Sequence, residues 1–195
     1  IDFMNVMHAQ AQDYRSLALL QANMSFPMAP FLYLASAIRA EIDLPVFHAG
    51  RIVDLAPIHE LLTAGFVVVA CGGGGIPVVE DANGDLQGIE AVIDKDFASA
   101  MLAHALDADL FLISTEVERV AINFGKPDQR WLDRVTVAEA RRHLADGQFP
   151  KGSMGPKVEA MLTFLTEGGR EGLITNTTAI GRALRGETGT RFVVR

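Results

Sequence analysis

Cysteine is all but missing from this chain of 195 residues: Cys71 is the only one. A single thiol forms no internal disulfide and no cysteine-based metal cage, and it suits a reducing compartment. Basic runs are missing too. Nothing longer than Arg141-Arg142 occurs, and 17 Lys and Arg against 24 Asp and Glu leave a formal charge of −7. Nonspecific nucleic-acid surfaces work by clustering cations that displace phosphate counterions, so nucleic acid is not an expected partner. No apolar run reaches bilayer length and no charged-then-apolar leader opens the sequence, so no membrane partner is expected and the chain reads as cytoplasmic. His8, His59, His104 and His143 share no metal-ligand spacing, and no protein-held metal is expected. His48 sits in an apolar run and reads as a packed core residue. What remains is an ordinary globular composition, 49% hydrophobic and 21% charged, in a length that fits one large domain or a domain with an attached piece.

The chain opens in mid-pattern, Ile1 to Met7 alternating like a strand, as expected of a fold whose start lies elsewhere. Pro30 to Arg39 places Phe31, Leu34 and Ile38 at helical spacing, and Pro45 to Ala49 reads as a short strand. Asp54 then caps a helix carrying Pro57, Ile58, Leu61 and Leu62 that stops at Gly65. Phe66 to Ala70 is apolar on both alternating faces, the pattern of a central strand buried between helix layers. Asn83-Gly84 signals a hairpin. Asp96 to Leu106 reads as a helix with Phe97, Met101 and Leu102 inward, and Leu110 to Ile113 as a second buried strand. Thr136-Val137-Ala138-Glu139 is a capping box opening a helix to Ala145. Pro156 to Leu165 is a helix ended by Gly168-Gly169, followed by a strand over Gly172 to Thr175, a helix over Thr178 to Leu184 and a last strand over Arg191 to Val194. This alternation predicts an α/β fold: an open, mostly parallel sheet covered by helices on both faces. Trp131 and the methionines are expected to fill core, and Cys71 reads as a small buried residue at a strand end.

Open α/β sheets bind ligands beyond the carboxyl ends of their strands, and three loops there stand out. Gly72, Gly73, Gly74 and Gly75 follow the most apolar strand, where residues without Cβ let backbone N–H groups approach an anion; standing alone, they serve a tight turn as readily. No Lys-Ser/Thr pair follows and no Gly-x-Gly-x-x-Gly spacing leads into a helix, so this is neither a Walker A loop nor a dinucleotide fingerprint. Asp94, Lys95 and Asp96 crowd a helix start. The two carboxylates complement the helix dipole, whereas a cation in a first turn opposes it and calls for an anion nearby. Lys151-Gly152-Ser153-Met154-Gly155-Pro156-Lys157 puts two further cations at another helix start, badly placed for stability and well placed for phosphate. Together the three loops point to phosphoryl transfer, where positioning and charge neutralisation supply most of the catalysis.

Val69 to Val78 with its four glycines, Gly88 to Asp96, Ile122 to Pro127, Gly152 to Ala160 and Gly189-Thr190-Arg191 closely resemble the carbamate kinases of the amino-acid kinase superfamily, from about Arg51 to the end. The resemblance implies a three-layer α/β/α fold. It also implies reversible phosphoryl transfer between ATP and carbamate, giving carbamoyl phosphate and ADP, with Mg²⁺ and no covalent enzyme intermediate. Asp96 then corresponds to the carboxylate that organises the active-site lysines, Lys95 to a cation at the reacting phosphates and Lys157 to the lysine on the nucleotide's terminal phosphates. The four glycines, Ser114, Met154 and Gly155 are the implied nucleotide contacts. Ser114 to Val120 resembles the stretch lining the nucleotide pocket, with Glu116 and Arg119 where the family more commonly has Asp and Gly.

The opening residues resemble something else. Ala29 to Ala35 and Leu44 to Ile52 are similar to late strands of flavin-dependent (βα)₈ oxidoreductases of the old yellow enzyme and trimethylamine dehydrogenase type, with Gly50 and Arg51 matching a loop that holds the FMN phosphate. The Gly-Arg-Pro that should complete that site is replaced by the glycine loop, so FMN binding is not expected. The sequence thus divides into a barrel-like segment, residues 1–50, and a nucleotide-binding domain, residues 51–195. The kinases' first half supplies a glycine-rich loop with a lysine and most of the carbamate pocket, and residues 1–50 contain no lysine to replace it. Removing one such electrostatic donor costs roughly 10²–10³ in rate. The expectation is therefore weak but real nucleotide binding with feeble or absent turnover. The partners implied are the nucleotide, carbamate or carbamoyl phosphate, and a second copy of the chain in a homodimer. The alternative is a noncatalytic nucleotide-binding or assembly fragment whose sheet edge a partner covers; a flavin oxidoreductase fragment ranks last.

Overall fold

The computed structural model describes Met4–Asn5, Ala40, Val46–His48 and residues 55–71 and 77–195. The chain forms two compact units, Ile1–Gly72 and Gly73–Arg195.

In the first unit, strands β1 (Met4–Asn5), β2 (Val46–His48) and β3 (Val67–Val68) form a parallel sheet in the order β1-β2-β3, with Phe47 opposite Val67. Helix α1 (Leu55–Thr63) buries Pro57, Ile58 and Leu61, one stripe at helical spacing. It ends as its sequence predicts: Gly65 takes φ +80°, its N–H donates to the Leu62 carbonyl, and that of Phe66 donates to Leu61. Leu62 lies off the stripe and is exposed. The expectation of a strand buried on both faces fails for β3, since Val67 and Val69 are 44% and 54% exposed. Among the described residues β3 is hydrogen-bonded to β2 alone, and an edge strand leaves one side to solvent. The helix read over Pro30 to Arg39 and the Asp54 cap lie outside the described residues.

The second unit opens with a hairpin of β4 (Val78–Glu80) and β5 (Leu86–Gly88), as the Asn83-Gly84 signal predicts. Its loop is longer than a two-residue turn. The Asp81 carboxylate closes it by accepting from the N–H groups of Asn83 and Asp85, at 2.8 and 3.0 Å, and Gly84 takes φ +86°. Helix α2 (Lys95–Ala105) follows, then β6 (Leu110–Thr115), a second hairpin of β7 (Val120–Ile122) and β8 (Arg130–Leu132), β9 (Arg134–Thr136), and helices α3 (Val137–Ala145) and α4 (Met154–Thr166). The chain ends with β10 (Glu171–Asn176), a 3₁₀ turn over Thr177–Ala179, helix α5 (Ile180–Leu184) and β11 (Thr190–Val193). The main sheet has the order β6-β10-β11-β9. β10 runs parallel to β6 and antiparallel to β11, and β11 runs parallel to β9, so the sheet is mixed with two of its three pairings parallel.

Registers and the two-residue side-chain period assign the faces. Phe111, Ile113, Ile174, Phe192 and Val135 share one face and are buried with Val158, Met161, Phe164 and Leu165 of α4, Ala100 of α2 and Ala140 of α3. The rings of Phe111 and Phe164 meet at 5.5 Å and 56°, a tilted contact favoured by aromatic quadrupoles. Leu173 points to the opposite face, toward α5: a Cβ added to Gly189 would come within 2.8 Å of Leu173 Cδ1 and 3.1 Å of Ala183 Cβ. Buried Thr190 ties the second hairpin to the sheet, accepting from the Val120 N–H at 2.8 Å and donating to the Leu132 carbonyl.

Local signals hold in α3, where the Thr136/Glu139 capping box is complete. Three others give way to packing. Met101 is 64% exposed, because α2 turns Asp96 and Ala100 inward and its small alanines allow close approach to α4. Trp131 is 46% exposed and meets Phe124 edge-on, while its neighbour Leu132 takes the buried place on β8. The helix expected over Thr178 to Leu184 is broken, since the Asn176 side chain accepts from the Ala179 N–H and draws the first turn into 3₁₀ geometry. None of the described helices is long and apolar enough to cross a membrane.

Gly172 lies where β10 passes under α4, and a Cβ there would stand 2.4 Å from Met161 Sδ. Gly172→Ala should therefore destabilise the protein by roughly 1–3 kcal/mol in urea unfolding followed by Trp131 fluorescence. Gly152→Ala, which opens onto free space, should stay within about 0.5 kcal/mol.

Candidate functional site

Beyond the carboxyl ends of the adjacent parallel strands β6 and β10, the hydroxyls of Ser114 and Thr177 lie 3.2 Å apart on the exposed surface. Two helix starts contribute charge in the same unit. At α2 the Asp94 carboxylate is the N-cap, accepting from the N–H groups of Asp96 and Phe97 at 2.8 and 3.3 Å. Asp94 thus serves the helix itself. The cap sets the phase of the first turn, leaving Lys95 exposed and burying Asp96. At α4 the chain folds back through Pro150, whose carbonyl accepts from Ser153 and Gly155 at 3.2 and 2.9 Å. A Cβ on Gly155 would come within 3.0 Å of that carbonyl oxygen, so the turn requires glycine or a shift. Ser153 offers no side-chain cap to α4, and no acidic residue occupies its first turn. Of the N–H groups at this end, those of Ser153 and Gly155 are taken by the Pro150 carbonyl, and none is capped by the Ser153 side chain.

Lys157 stands in that first turn and reaches Asp96 across 61 residues of sequence. Its Nζ donates to Asp96 Oδ2 at 2.8 Å, with the two side chains only 15% and 10% exposed. Removing both charges from water is costly, and their contact repays that cost only while both partners stay in place. Lys157, Asp96 and the helix starts that carry them are therefore mutually dependent. Lys151, the other cation of the loop, is exposed in the preceding turn.

Met154 opens α4 and lines an apolar cleft of about 120 Å³ with Val117, Arg119, Ala121, Phe124 and Phe149. The Gln148 amide oxygen, at its rim, accepts from the Asn123 N–H at 2.8 Å. Arg119 and Glu116, the two departures from the family pattern, differ in placement. Glu116 is exposed, while Arg119 is half-buried, donating to Thr188 Oγ1 at 3.2 Å and pairing with Asp133 at 2.8 Å. Glu118 next to it receives Thr188 Oγ1 and Arg182; the Thr188 hydrogen bond, then the Arg182 charge, hold its carboxyl below the usual range. Arg119, Trp131 and Glu118 line a further cavity of about 290 Å³. Arg182 and Thr188 of this network come from a distant segment, and no local motif announces them.

Of the residues singled out by sequence, the structure brings Asp96 and Lys157 into contact and places Met154 on the cleft, with Gly155 beside it in α4. Ser114 lies at the sheet's carboxyl end. Gly72, Gly73, Gly74 and Gly75 lie outside the described residues. Cys71, just before them, is half-buried at φ +57°, and burial pushes its thiol pKa up.

The profile of the amino acid kinase family matches residues 18–176. A carbamate kinase-like protein of Escherichia coli, YahI, is 52% identical over 143 residues, which cover 73% of this chain and 45% of that protein. A carbamate kinase of Thermococcus kodakarensis is 50% identical over 141 residues, 72% of this chain and 44% of that one. Among solved structures, the carbamate kinase of Giardia lamblia bound to AMP-PNP superposes with a TM-score of 0.69 at 38% identity, covering 72% of this chain and 44% of that one. The chain thus spans just under half the length of these relatives. The profile match starts inside the segment that resembles flavin enzymes, and these comparisons lend that resemblance no support.

Asp96→Ala should cost about 3 kcal/mol by stranding the Lys157 ammonium. In Asp96→Ala/Lys157→Met the loss should be smaller than the sum of the single losses; strict additivity would mean the two side chains are not coupled. Cys71 should react with iodoacetamide at pH 7.5 more slowly in the native chain than after unfolding in urea, and equal rates would contradict its raised pKa.

Proposed function

The chain belongs to the amino acid kinase family, and from that premise we propose that it is a carbamate kinase-like phosphotransferase moving a phosphoryl group reversibly between ATP and carbamate. The observation that carries this reading is the Asp96–Lys157 pair, set in the first turns of two helices, one of which has no side-chain cap. The likeness to carbamate kinases over some 140 residues supplies the choice of substrate.

Terminal phosphates at the start of α4 meet backbone N–H groups that no side chain occupies, together with the positive end of the helix dipole. Lys157 adds a full positive charge at the same point. Asp96 holds that ammonium in place, acting as a positioning residue, while Lys95, exposed next to it, faces the reacting phosphates. By the resemblance to carbamate kinases, Gly72 to Gly75 are proposed as further nucleotide contacts. Met154, Val117, Ala121 and Phe124 give the nucleoside an apolar cleft, and Ser114 and Gly155 are proposed as further nucleotide contacts. Mg²⁺ travels with the nucleotide as its counterion.

In the step itself a carbamate oxygen forms a bond to the terminal phosphorus of ATP as the bond from that phosphorus to the bridging oxygen breaks. The electron pair stays on ADP, carbamoyl phosphate leaves, and no proton need move. Total charge is the same before and after, so the residues' task is to spread and neutralise it in the transition state.

Calorimetric titration with Mg·ADP should give saturable binding that is lost in Lys157→Ala. A folded variant that binds equally tightly would overturn the assignment of Lys157. With carbamoyl phosphate added, the wild-type chain should form ATP only feebly; nucleotide binding with no ATP at any carbamoyl phosphate concentration would favour a nucleotide-binding module, and turnover as fast as that of a full-length carbamate kinase would contradict the expected impairment.

A further inference from the structure

A third cavity, of about 350 Å³, is lined by neither Asp96 nor Lys157 and is framed by β8, β9 and α3. Its walls include Arg130, Trp131, Asp133, Glu139, Arg142 and His143. That is an unusual concentration of positive charge in a chain whose formal charge is −7. Both carboxylates in the wall are already committed. Asp133 pairs with Arg119 at 2.8 Å. The Glu139 carboxylate accepts from the Thr136 N–H and hydroxyl at 2.9 and 2.8 Å, completing the capping box of α3; these bonds are the main reason its pKa is low, with Arg142 a smaller contributor. Arg134 is committed as well, donating to the Arg195 carbonyl.

The guanidiniums of Arg130 and Arg142 have no hydrogen bond or ion pair among the described residues. They come from different elements, β8 and the last turn of α3, so the pairing is not a consequence of one helix complementing its own dipole. His143 lines the same cavity, half-buried and set edge-on against Phe149 at 6.2 Å. Burial and the Arg142 charge keep its pKa below the ordinary value, with Asp146 and Glu139 opposing and Arg130 adding to the shift. The flat indole of Trp131 forms another wall. Two free guanidinium forks, a neutral imidazole able to donate one hydrogen bond and a cavity of small-ligand size make a set that matches clustered anionic oxygens.

We propose that this cavity is a second anion site, separate from the one for the nucleotide's phosphates. Its ligand is a small molecule with two or more negative charges on neighbouring oxygens, a polyphosphate or a polycarboxylate, gripped by Arg130 and Arg142 with His143 as a further donor. Trp131 is the only tryptophan in the chain, so its fluorescence reports on occupancy.

The test is a fluorescence titration, repeated by calorimetry, with pyrophosphate in one arm and citrate in the other. It uses the chain as it stands, Lys157→Ala, and Arg130→Gln/Arg142→Gln. The expected result is saturable binding of at least one probe that survives in Lys157→Ala and weakens tenfold or more in the double variant. The tighter-binding probe names the ligand's chemistry. Both arginines are exposed, so the double variant should keep the wild-type urea midpoint. Arg142→Lys gives a second check: it preserves charge but removes the fork, and should weaken binding several-fold. Equal affinity in the double variant, loss of all binding in Lys157→Ala, or saturable binding of neither probe would overturn the proposal.

Discussion

A lysine and an aspartate that meet at 2.8 Å, with nine-tenths of the carboxylate and most of the ammonium out of water, set the terms for the rest of this site. Neither charge is tolerable there alone. Asp96 is buried because Asp94 caps α2 and fixes the phase of its first turn, and Lys157 is reachable because α4 packs against α2 through small and apolar residues. The ion pair therefore joins two helix starts whose dipoles both point their positive ends toward the same kind of ligand. A cation in a first turn destabilises a bare helix; here a carboxylate compensates it.

Much of this was legible in sequence where the determining interactions are local. The Thr136/Glu139 box, the Gly65 stop, the Asn83-Gly84 hairpin and the strands around Leu112 and Leu173 all follow from neighbours within a few residues, and the structure contains each of them. The misplaced charge of Lys157 was also visible, as a cation where the dipole disfavours one. What sequence left open was its partner, since Asp96 lies 61 residues away and only packing of α2 on α4 brings them together. The same limit explains the errors. Met101 and Trp131 are large and apolar, yet small Ala100 and branched Leu132 fill the inward positions, because the spacing between elements, and not hydrophobicity alone, decides which residue fits. The exposed valines of β3 misled in another way: an apolar run reports that a strand forms more reliably than how many neighbours it has.

Arg119 shows how a departure from a family pattern acquires a physical role. Where the resemblance implies glycine this chain carries a cation, and the structure anchors that cation to Thr188 and Asp133. It also pairs with Asp133, one of the two carboxylates in the wall of the neighbouring arginine-lined cavity. Acidic chains hold local positive fields in this manner, by pairing off the carboxylates near the cations they need.

The central claim is that Lys157, held by Asp96, reads the phosphates and not the nucleoside. Comparing the affinities of Mg·ADP and adenosine for the wild-type chain and for Lys157→Ala tests it most directly. The wild type should prefer Mg·ADP by at least about tenfold, about 1.4 kcal/mol, and the variant should lose the preference while binding adenosine as before. A preference for Mg·ADP that survives the substitution in a folded chain would contradict it.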